Sequence, residues 1–113
     1  MKALAKSQPP ACPAQRTIDV LGGRWKVPIV YHLFQKTRRF SELRRHLPGC
    51  TQKMLTQQLR QLERDGVVHR KVYPQVPPKV EYSLTEMGRS LKPVIAAMCR
   101  WGTEGDGACP RKR

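Results

Sequence analysis

Residues 52–65 limit how this chain can fold more than any other segment, because their apolar and polar side chains separate at helical spacing. The apolar side holds Met54, Leu55, Leu59 and Leu62. The polar side holds Gln52, Lys53, Thr56, Gln57 and Arg60, with Glu63 near the end as its one acid. A solubilising helix face usually mixes acids and bases at four-residue spacing. The segment therefore predicts a helix that packs through one side and presents the other to a polyanion.

The charge of the whole chain supports this interpretation. Its 113 residues include 22 Lys and Arg against 8 Asp and Glu, a formal net charge of +14 at pH 7. That length predicts one domain with a modest core, and that charge favours a nucleic acid or an anionic membrane surface as partner. No apolar run approaches the roughly 18 residues of a membrane-spanning helix, and residues 1–10 lack the apolar core of a signal peptide. We expect a cytoplasmic protein without a membrane partner.

The reactive side chains form no recognisable catalytic or metal site. Four cysteines, at positions 12, 50, 99 and 109, lie far apart without a CxxC pair, and are expected to be free thiols in a reducing cytosol. Their spacing relative to the three histidines is not that of a zinc site, so neither a metal nor another cofactor is expected. The 8 acids are scattered singly among basic neighbours. An enzyme would need clustered carboxylates, a nucleophile beside a base, or a metal set, so enzymatic activity is not expected.

Local signals predict the regular elements along the chain. The predicted helices span 13–21, 25–35, 42–47 and 52–65. Ser41 and Thr51 are expected to cap the last two of these. The predicted strands span 67–73 and 79–84, with a proline-rich hairpin tip between them.

The two ends of the chain are predicted to lie outside the folded domain. Residues 1–11 are expected to form a flexible basic arm, residues 12–102 the domain, and residues 103–113 a disordered basic tail. Within the domain, Thr85 is expected to cap a last helix that Pro93 kinks or breaks.

The order of these elements is that of a winged helix-turn-helix. A Pro-Gly turn joins the helices at 42–47 and 52–65, and a basic two-stranded hairpin, the wing, follows them. In such a fold the first helix crosses the DNA backbone, the second enters the major groove, and the wing reaches phosphates or the minor groove. Residues 38–64 carry seven Lys and Arg against two acids, so the positive charge is concentrated there. The predicted fold class is α+β and mainly helical.

Several motifs in the same order make the chain resemble the HxlR-type transcriptional regulators. The motifs are residues 22–26 (GGRWK), 39–44 (RFSELR), 52–60 (QKMLTQQLR) and 73–85 (YPQVPPKVEYSLT). The resemblance covers about residues 12–102. It implies a bacterial homodimer that binds operator DNA, represses or activates transcription, and pairs through its first and last helices. It also implies a class in which several members sense oxidants or electrophiles through a cysteine near the N-terminus.

The resemblance implies which side chains contact double-stranded DNA. Those expected to face the major groove are Thr51, Gln52, Lys53, Thr56, Gln57 and Arg60. Lysine and arginine suit guanine or phosphate and glutamine suits adenine, but the sequence leaves open which residue reads which base. The alternative is that this face is merely solvated. Those expected to contact the backbone are Arg39, Ser41 and Arg44, although Arg44 is equally well explained as a surface charge.

In the wing, the phosphate-contacting candidates are Arg70, Lys71 and Lys79. Since successive side chains of a strand point to opposite faces, Arg70 and Lys71 are not both expected to be aimed at DNA.

Cys12 carries a second hypothesis. It precedes Pro13 at the start of the first helix, where the helix dipole and Arg16 favour a thiolate. An exposed thiolate is what oxidation chemistry requires, and the position matches the sensing cysteine implied by the resemblance. The alternative is a partly buried thiol that packs as a small apolar residue. Packing is the default expectation for Cys50 and Cys99, whereas Cys109 is expected to be exposed.

An apolar stripe near the C-terminus is long for the core of so small a domain. Together with the first helix it is expected to form the homodimer interface that the resemblance implies. The interface residues predicted are Ile18, Leu21, Leu91, Val94, Ile95, Met98 and Trp101.

The competing function is binding to RNA or DNA without sequence preference, as in an architectural protein. Stacking on single strands or RNA loops needs exposed aromatic side chains on a basic surface. The chain has two Trp, three Tyr and two Phe, few of them in basic segments, so sequence-specific binding to duplex DNA is favoured.

Overall fold

Six helices and three short strands make up residues 12–104, the part of the chain that the computed structural model describes. In chain order they are α1 (Pro13–Leu21), α2 (Lys26–Gln35), β1 (Arg38–Arg39), α3 (Phe40–Arg45), α4 (Gln52–Arg64), β2 (Val68–Tyr73), β3 (Lys79–Leu84), α5 (Glu86–Arg89) and α6 (Lys92–Thr103). The mainly helical α+β class and the winged helix-turn-helix are confirmed. The predicted N-terminal arm and the tail beyond residue 104 lie outside the described residues.

Helix α4 begins and ends where its local signals predicted. The Thr51 hydroxyl accepts a hydrogen bond from the backbone N–H of Met54 at 3.1 Å, which satisfies one of the free donors at the start of the helix. At the other end, Gly66 has a φ of +82°, a left-handed conformation in which a Cβ would be strained. The helix that presents the polar face is therefore defined by its own sequence at both ends.

The start of α3 differs from its prediction. The helix begins at Phe40, and Arg39 rather than Ser41 is its N-cap residue. The backbone N–H of Arg39 donates a hydrogen bond to the Glu42 carboxylate at 2.8 Å, half of a capping box. This bond, helped by nearby cationic side chains, holds the pKa of Glu42 below its usual range. The Ser41 cap was wrong because the glutamate in the first turn takes over the capping.

The sheet has one strand more than the predicted wing. β2 and β3 pair antiparallel from Val68↔Leu84 to Tyr73↔Lys79, which confirms the two-stranded hairpin. β1 adds to the free edge of β3 through Arg38↔Tyr82 and Arg39↔Glu81, giving the strand order β1-β3-β2. Two residues are too few to show an alternating pattern, so β1 was not predicted. It ties the segment before α3 to the wing.

The last helical region is broken where Pro93 predicted a break. α5 ends at Arg89 and α6 begins at Lys92, with Pro93 in its first turn, where the missing N–H costs nothing. The Thr85 hydroxyl accepts a hydrogen bond from the Gly88 N–H at 2.9 Å, as predicted, and donates one to the Gly66 carbonyl at 2.5 Å. Thr85 thus caps α5 and fastens it to the end of α4.

One hydrophobic core joins α1, α2, α3, α4, the base of the wing and α6. Its buried members are Val20, Leu21, Ile29, Val30, Leu33, Leu43, Leu47, Cys50, Leu55, Leu59, Leu62, Val67, Val68, Leu84 and Ile95. Leu55, Leu59 and Leu62 of α4 are at most 2% exposed, so this helix is anchored along its whole inner side. Met54, expected on that inner side, is 41% exposed and lies at its edge.

Candidate DNA-binding interface

The outer side of α4 presents its polar side chains together. Gln52, Lys53, Gln57 and Arg60 are exposed, and Thr56 is half-buried. These five side chains line one open depression of about 490 Å³. They are five of the six residues expected to face the major groove. The sixth, Thr51, is exposed at the N-terminal end of the helix, where its hydroxyl also caps α4.

The basic residues around α3 precede α4 in the chain, and they are open to solvent. Arg39, Ser41 and Arg44 are all exposed, as backbone contacts require. Arg45 in the last turn of α3 is exposed as well and was not among the predicted residues. Its position in the same basic run was the available signal. The structure therefore adds a further cation to this surface.

The wing divides its cations between two faces, as the alternation along a strand requires. The Lys71 and Lys79 ammonium groups lie 5.0 and 4.5 Å from the centroid of the Tyr73 ring, within range of cation–π attraction. The Tyr73 hydroxyl donates to the Glu81 carboxylate at 3.0 Å, and Lys79 lies 3.6 Å from that carboxylate. Lys71 and Lys79 therefore share one face, partly neutralised by Glu81.

Arg70 lies on the other face of β2, against α4. Its Nε is 3.7 Å from a Glu63 carboxylate oxygen, and both side chains are roughly half exposed. A small pocket of about 240 Å³ between helix and sheet is lined by these two residues and by Thr56, Leu59, Arg60 and Tyr82. Burial raises the pKa of the Tyr82 hydroxyl, which keeps it neutral and able to donate. Glu63, the single acid of the polar face, thus pairs with the wing.

Sequence reasoning missed Arg38, the most buried arginine of this region. It is 7% exposed, and its guanidinium donates to the His32 carbonyl at 3.0 Å and to Gln35 Oε1 at 2.7 Å. Its Nη1 also lies 3.1 Å from Nε2 of His46. In the sequence, Arg38 counted only toward the positive charge of residues 38–64, because nothing in the local pattern distinguishes the buried Arg38 from the exposed Arg39. Arg38 joins three elements instead of contacting solvent.

The cysteines occupy three different environments. Cys12 is exposed at the start of α1, as sensing would require. Cys50 is 4% exposed and belongs to the core, and burial raises the pKa of its thiol. Cys99 was expected to pack but is exposed, because α6 turns it toward an open groove shared with α2. Cys109 lies outside the described residues.

The residues predicted for the dimer interface divide into core and surface. Leu21 and Ile95 are buried inside the chain itself, whereas Ile18, Met98 and Trp101 are 55%, 48% and 60% exposed. Leu91 and Val94 are half-buried. Residues of α1 and α6, with others from the start of α2, line an apolar groove of about 410 Å³: Ala14, Thr17, Ile18, Leu21, Gly22, Gly23, Val27, Val94 and Met98. The first and last described helices therefore do share one apolar surface.

Neither a membrane span nor a metal cluster is seen between residues 12 and 104. No helix there has the length and apolar character needed to cross a membrane. In the same range, His, Cys, Asp and Glu side chains form no group of three or more that would hold a metal ion.

Comparison with known proteins identifies the class to which this interface belongs. A family model described as HxlR-like helix-turn-helix matches residues 20–108. The chain belongs to this HxlR-like family. Among its relatives, the HTH-type transcriptional regulator YdeP of Bacillus subtilis (strain 168) is 60% identical over 91 residues, which make up 80% of the HxlR-like chain and 71% of YdeP.

Solved structures match this HxlR-like chain over most of its length. The reduced form of the redox regulator HypR superposes with a TM-score of 0.81 and 55% identity, covering 84% of this chain and 94% of that one. Diamide-treated YodB from B. subtilis superposes with a TM-score of 0.70 and 37% identity, covering 88% and 97%. The HxlR-like chain is therefore a helix-turn-helix transcriptional regulator, a DNA-binding class of protein and not an enzyme.

Proposed function

We propose that this regulator recognises a specific operator in double-stranded DNA as a cytoplasmic homodimer, and that chemical modification of Cys12 changes its affinity for that operator. Transcriptional regulation follows from the family. We propose three further properties: recognition of an operator through the polar side chains of α4, pairing with a second copy of the chain, and a response of Cys12 to modification.

The depression on α4 carries the proposal of sequence-specific reading. Its lining combines two amides, a hydroxyl, an ammonium and a guanidinium on a helix whose opposite side is held by buried leucines. Glutamine side chains hydrogen-bond adenine in a bidentate manner, and arginine does the same with guanine. Contacts with phosphates alone would need only positive charge. The two glutamines, Gln52 and Gln57, therefore favour a helix that reads bases.

The competing function, binding without sequence preference, finds less support. The aromatic side chains that are largely exposed in residues 12–104, Tyr31 and Trp101, lie on α2 and α6. Neither is on α4 or in the wing, and Tyr73 and Tyr82 of the wing are half-buried, so the described basic surface offers few open rings for stacking.

A gel-shift assay with the DNA upstream of the protein's own gene tests the proposal. The assay is run in excess nonspecific duplex at two salt concentrations. Retained preference for a short inverted repeat at the higher salt is the expected result. Equal affinity for every duplex, with a steep salt dependence as its main feature, would instead support the nonspecific function.

The apolar groove between α1 and α6 supports the homodimer. Ile18 and Met98 expose roughly half of their surface beside this groove, and Trp101 lies further along α6. Exposed apolar side chains that cluster in this way are typical of an interaction surface. A second copy related by a two-fold axis would also place two α4 helices at half-sites about one DNA turn, roughly 34 Å, apart.

The exposure of Cys12 supports the thiol response. Among the three described cysteines, Cys50 is buried and Cys99 lies on the last helix, so Cys12 is the exposed thiol that precedes a helix. HypR and YodB, to which the chain is similar, include a redox regulator and a protein studied after treatment with diamide.

A further inference from the structure

Arg24 and Trp25 belong to the GGRWK motif before α2, and none of the roles described above uses them. Arg24 is exposed, and Trp25 is the half-buried N-cap residue of α2. The Arg24 guanidinium lies over the Trp25 ring, with its Cζ atom 4.8 Å from the ring centroid. That separation is within the range of cation–π attraction. The indole is thus a platform that holds the guanidinium in a defined place.

The Trp25 ring reaches the turn between α3 and α4. Its Cη2 atom lies 3.8 Å from a Cβ built at Gly49, the glycine of the Pro-Gly turn. Gly49 comes two positions before Thr51, the N-cap residue of α4. The ring therefore packs beside the turn that leads into the helix proposed to read DNA. Arg24, stacked on that ring, lies beside the same turn.

The positive charge of Arg24 is not neutralised within residues 12–104. Arg24 makes no hydrogen bond or ion pair in that range besides its stack on Trp25. Between Glu42 and Glu63 the sequence has no Asp or Glu, so the turn and most of α4 contain no acid. The surface around the start of α4 is therefore positive, which favours an anion as its partner.

A guanidinium that is stacked on a ring keeps its donors available. The ring contacts the flat face of the guanidinium, whereas the five N–H groups of arginine lie in its plane. Because the side chain is already held, little rotamer freedom remains to be lost when these donors meet an acceptor. Arg24 is not among the side chains that line the depression on α4. Its position beside that depression suits a backbone phosphate better than a base.

We propose that Arg24 binds a phosphate of the DNA backbone beside the N-terminal end of α4, and that Trp25 positions it for this contact. The inference rests on the proposed function, since it needs α4 to lie against duplex DNA. A phosphate contact carries no sequence information, and each one adds about one unit to the salt dependence of the affinity. The segment before α2 thereby joins α3, α4 and the wing as a DNA-contacting element.

The apolar groove proposed for the second copy offers Arg24 a competing role. Gly22, Gly23 and Val27 line that groove, and they are close to Arg24 in the chain. Arg24 and Trp25 are not among its lining residues, and the Trp25 ring lies against the Gly49 turn instead. A contact with the second copy would affect the mass of the free protein, whereas a phosphate contact would not.

The test is a titration of the full-length chain against two fluorescein-labelled duplexes, one from upstream of its own gene and one of scrambled sequence, at several salt concentrations. Arg24→Gln is expected to bind both duplexes roughly eightfold more weakly near 0.1 M salt, with a salt slope lower by about 1. Arg24→Lys keeps the positive charge and should retain most of the slope.

Arg89→Gln is the matched control. Arg89 is exposed like Arg24, but it lies on α5, which the hydrogen bond from Thr85 to Gly66 fastens to the opposite end of α4. This variant should bind both duplexes as wild type does. Equal weakening by Arg24→Gln and Arg89→Gln would overturn the phosphate contact. Altered discrimination at one base pair by Arg24→Gln, with an unchanged salt slope, would overturn it as well.

Trp25→Phe tests the positioning role. Phenylalanine keeps an apolar ring but is a weaker platform for a cation than tryptophan. The change should weaken binding less than Arg24→Gln does, and it should add nothing in the Arg24→Gln background, because both act through one guanidinium. An equal effect of Trp25→Phe in both backgrounds would refute the positioning role.

Urea unfolding and light scattering of the free variants separate DNA contacts from changes in the protein itself. Arg24→Gln is expected to match the mass of wild type and to stay folded at the temperature of the titration. A mass below that of wild type would assign Arg24 to the contact with the second copy and overturn the phosphate contact.

The two duplexes distinguish failure of this inference from failure of the proposed function. Equal wild-type affinity for both would refute operator recognition, yet a lower salt slope for Arg24→Gln on either duplex would still support the phosphate contact. Wild-type preference for the upstream duplex together with an unchanged slope for Arg24→Gln would refute the contact alone.

Discussion

At the scale of single residues, packing decides which polar side chains stay available to a ligand. The side chains of Gln52, Lys53 and Gln57 make no hydrogen bond or ion pair within residues 12–104. Arg70 and Lys79, by contrast, already have Glu63 and Glu81 as partners. Partly exposed ion pairs of this kind contribute little energy, so DNA phosphates can compete for the two cations. The helix residues are thus the better candidates for base reading.

Gln57→Ala and Lys79→Ala are expected to weaken binding in different ways. Removing the Gln57 amide removes hydrogen bonds to one base, so discrimination at one operator position should fall by about 1–3 kcal/mol. Removing the Lys79 ammonium should weaken all duplexes alike and lower the salt slope by about 1. Titrations against operator and scrambled duplexes at several salt concentrations measure both effects. Indistinguishable behaviour of the two variants would contradict the assigned roles.

Cys12→Ser is expected to abolish the response to oxidants while preserving DNA binding under reducing conditions. Serine keeps the size and exposure of the side chain but has no oxidisable sulfur. The measurement is a gel shift before and after treatment with diamide, followed by reductant. Cys99→Ser is the matched control, because its thiol is also exposed but lies on α6. A Cys12→Ser variant that loses and regains binding as wild type does would rule out Cys12 as the sensor.

At the scale of elements, the sequence predicted well those helix ends that are determined by residues within the same helical turn. Thr51 and Thr85 cap their helices through N–H groups three residues further on, and Pro93 acts through its own ring, so these roles were readable from adjacent residues. β1 exists only because β3 offers a free edge more than forty positions later in the chain, as the Arg38↔Tyr82 pair shows. A strand of two residues is too short to show an alternating pattern, so its pairing with a distant strand could not be read from the sequence.

Gly88→Ala is expected to destabilise the junction between α5 and the wing. Alanine normally favours a helix over glycine by about 1 kcal/mol. Here, however, a Cβ at position 88 would collide with the carbonyl oxygen of Val67 and crowd the Leu84 side chain. Backbone cannot move aside cheaply, so a net loss of about 1–3 kcal/mol in the free energy of unfolding is expected.

Urea unfolding measures this change, and Gly102→Ala serves as the control. Apart from its chain neighbours and the backbone of its own helix, no described heavy atom lies within 4 Å of a Cβ built at Gly102 in α6. That variant should be as stable as wild type or slightly more so. Equal stability of both alanine variants would mean that α5 shifts easily and that the close approach is unimportant.

At the scale of the whole molecule, the described domain carries its polar depression and its apolar groove on different elements. The polar depression lies on α4, whereas the groove of about 410 Å³ is formed mainly by α1 and α6. The buried part of the predicted interface, Leu21 and Ile95, belongs to the chain's own core, so the exposed residues would supply the contact with a second copy. Under the proposed function, the charged surface would bind DNA and the apolar surface would bind a second copy.

Ile18→Lys is expected to convert the dimer into monomers. Burying an unpaired ammonium in an apolar contact is unfavourable by several kcal/mol. Light scattering coupled to gel filtration gives the mass of each variant without DNA. Val72→Lys is the control, since Val72 is 49% exposed against 55% for Ile18 but lies on β2 of the wing. Dimers from the Ile18 variant, or monomers from wild type, would contradict the proposed interface.

The sequence alone determined the class of this protein, because helix periodicity, caps, the Pro-Gly turn and the charge excess are all local or additive properties. It also identified the five polar residues of α4 that line one depression, since a single helix fixes their common face. Tertiary structure alone decided that Arg38 is buried, that Arg70 faces Glu63 and that Cys99 is exposed. Those outcomes depend on which distant element packs against each side chain. The residues next to each side chain in the sequence do not encode that packing, because the same local pattern occurs at buried and at exposed positions.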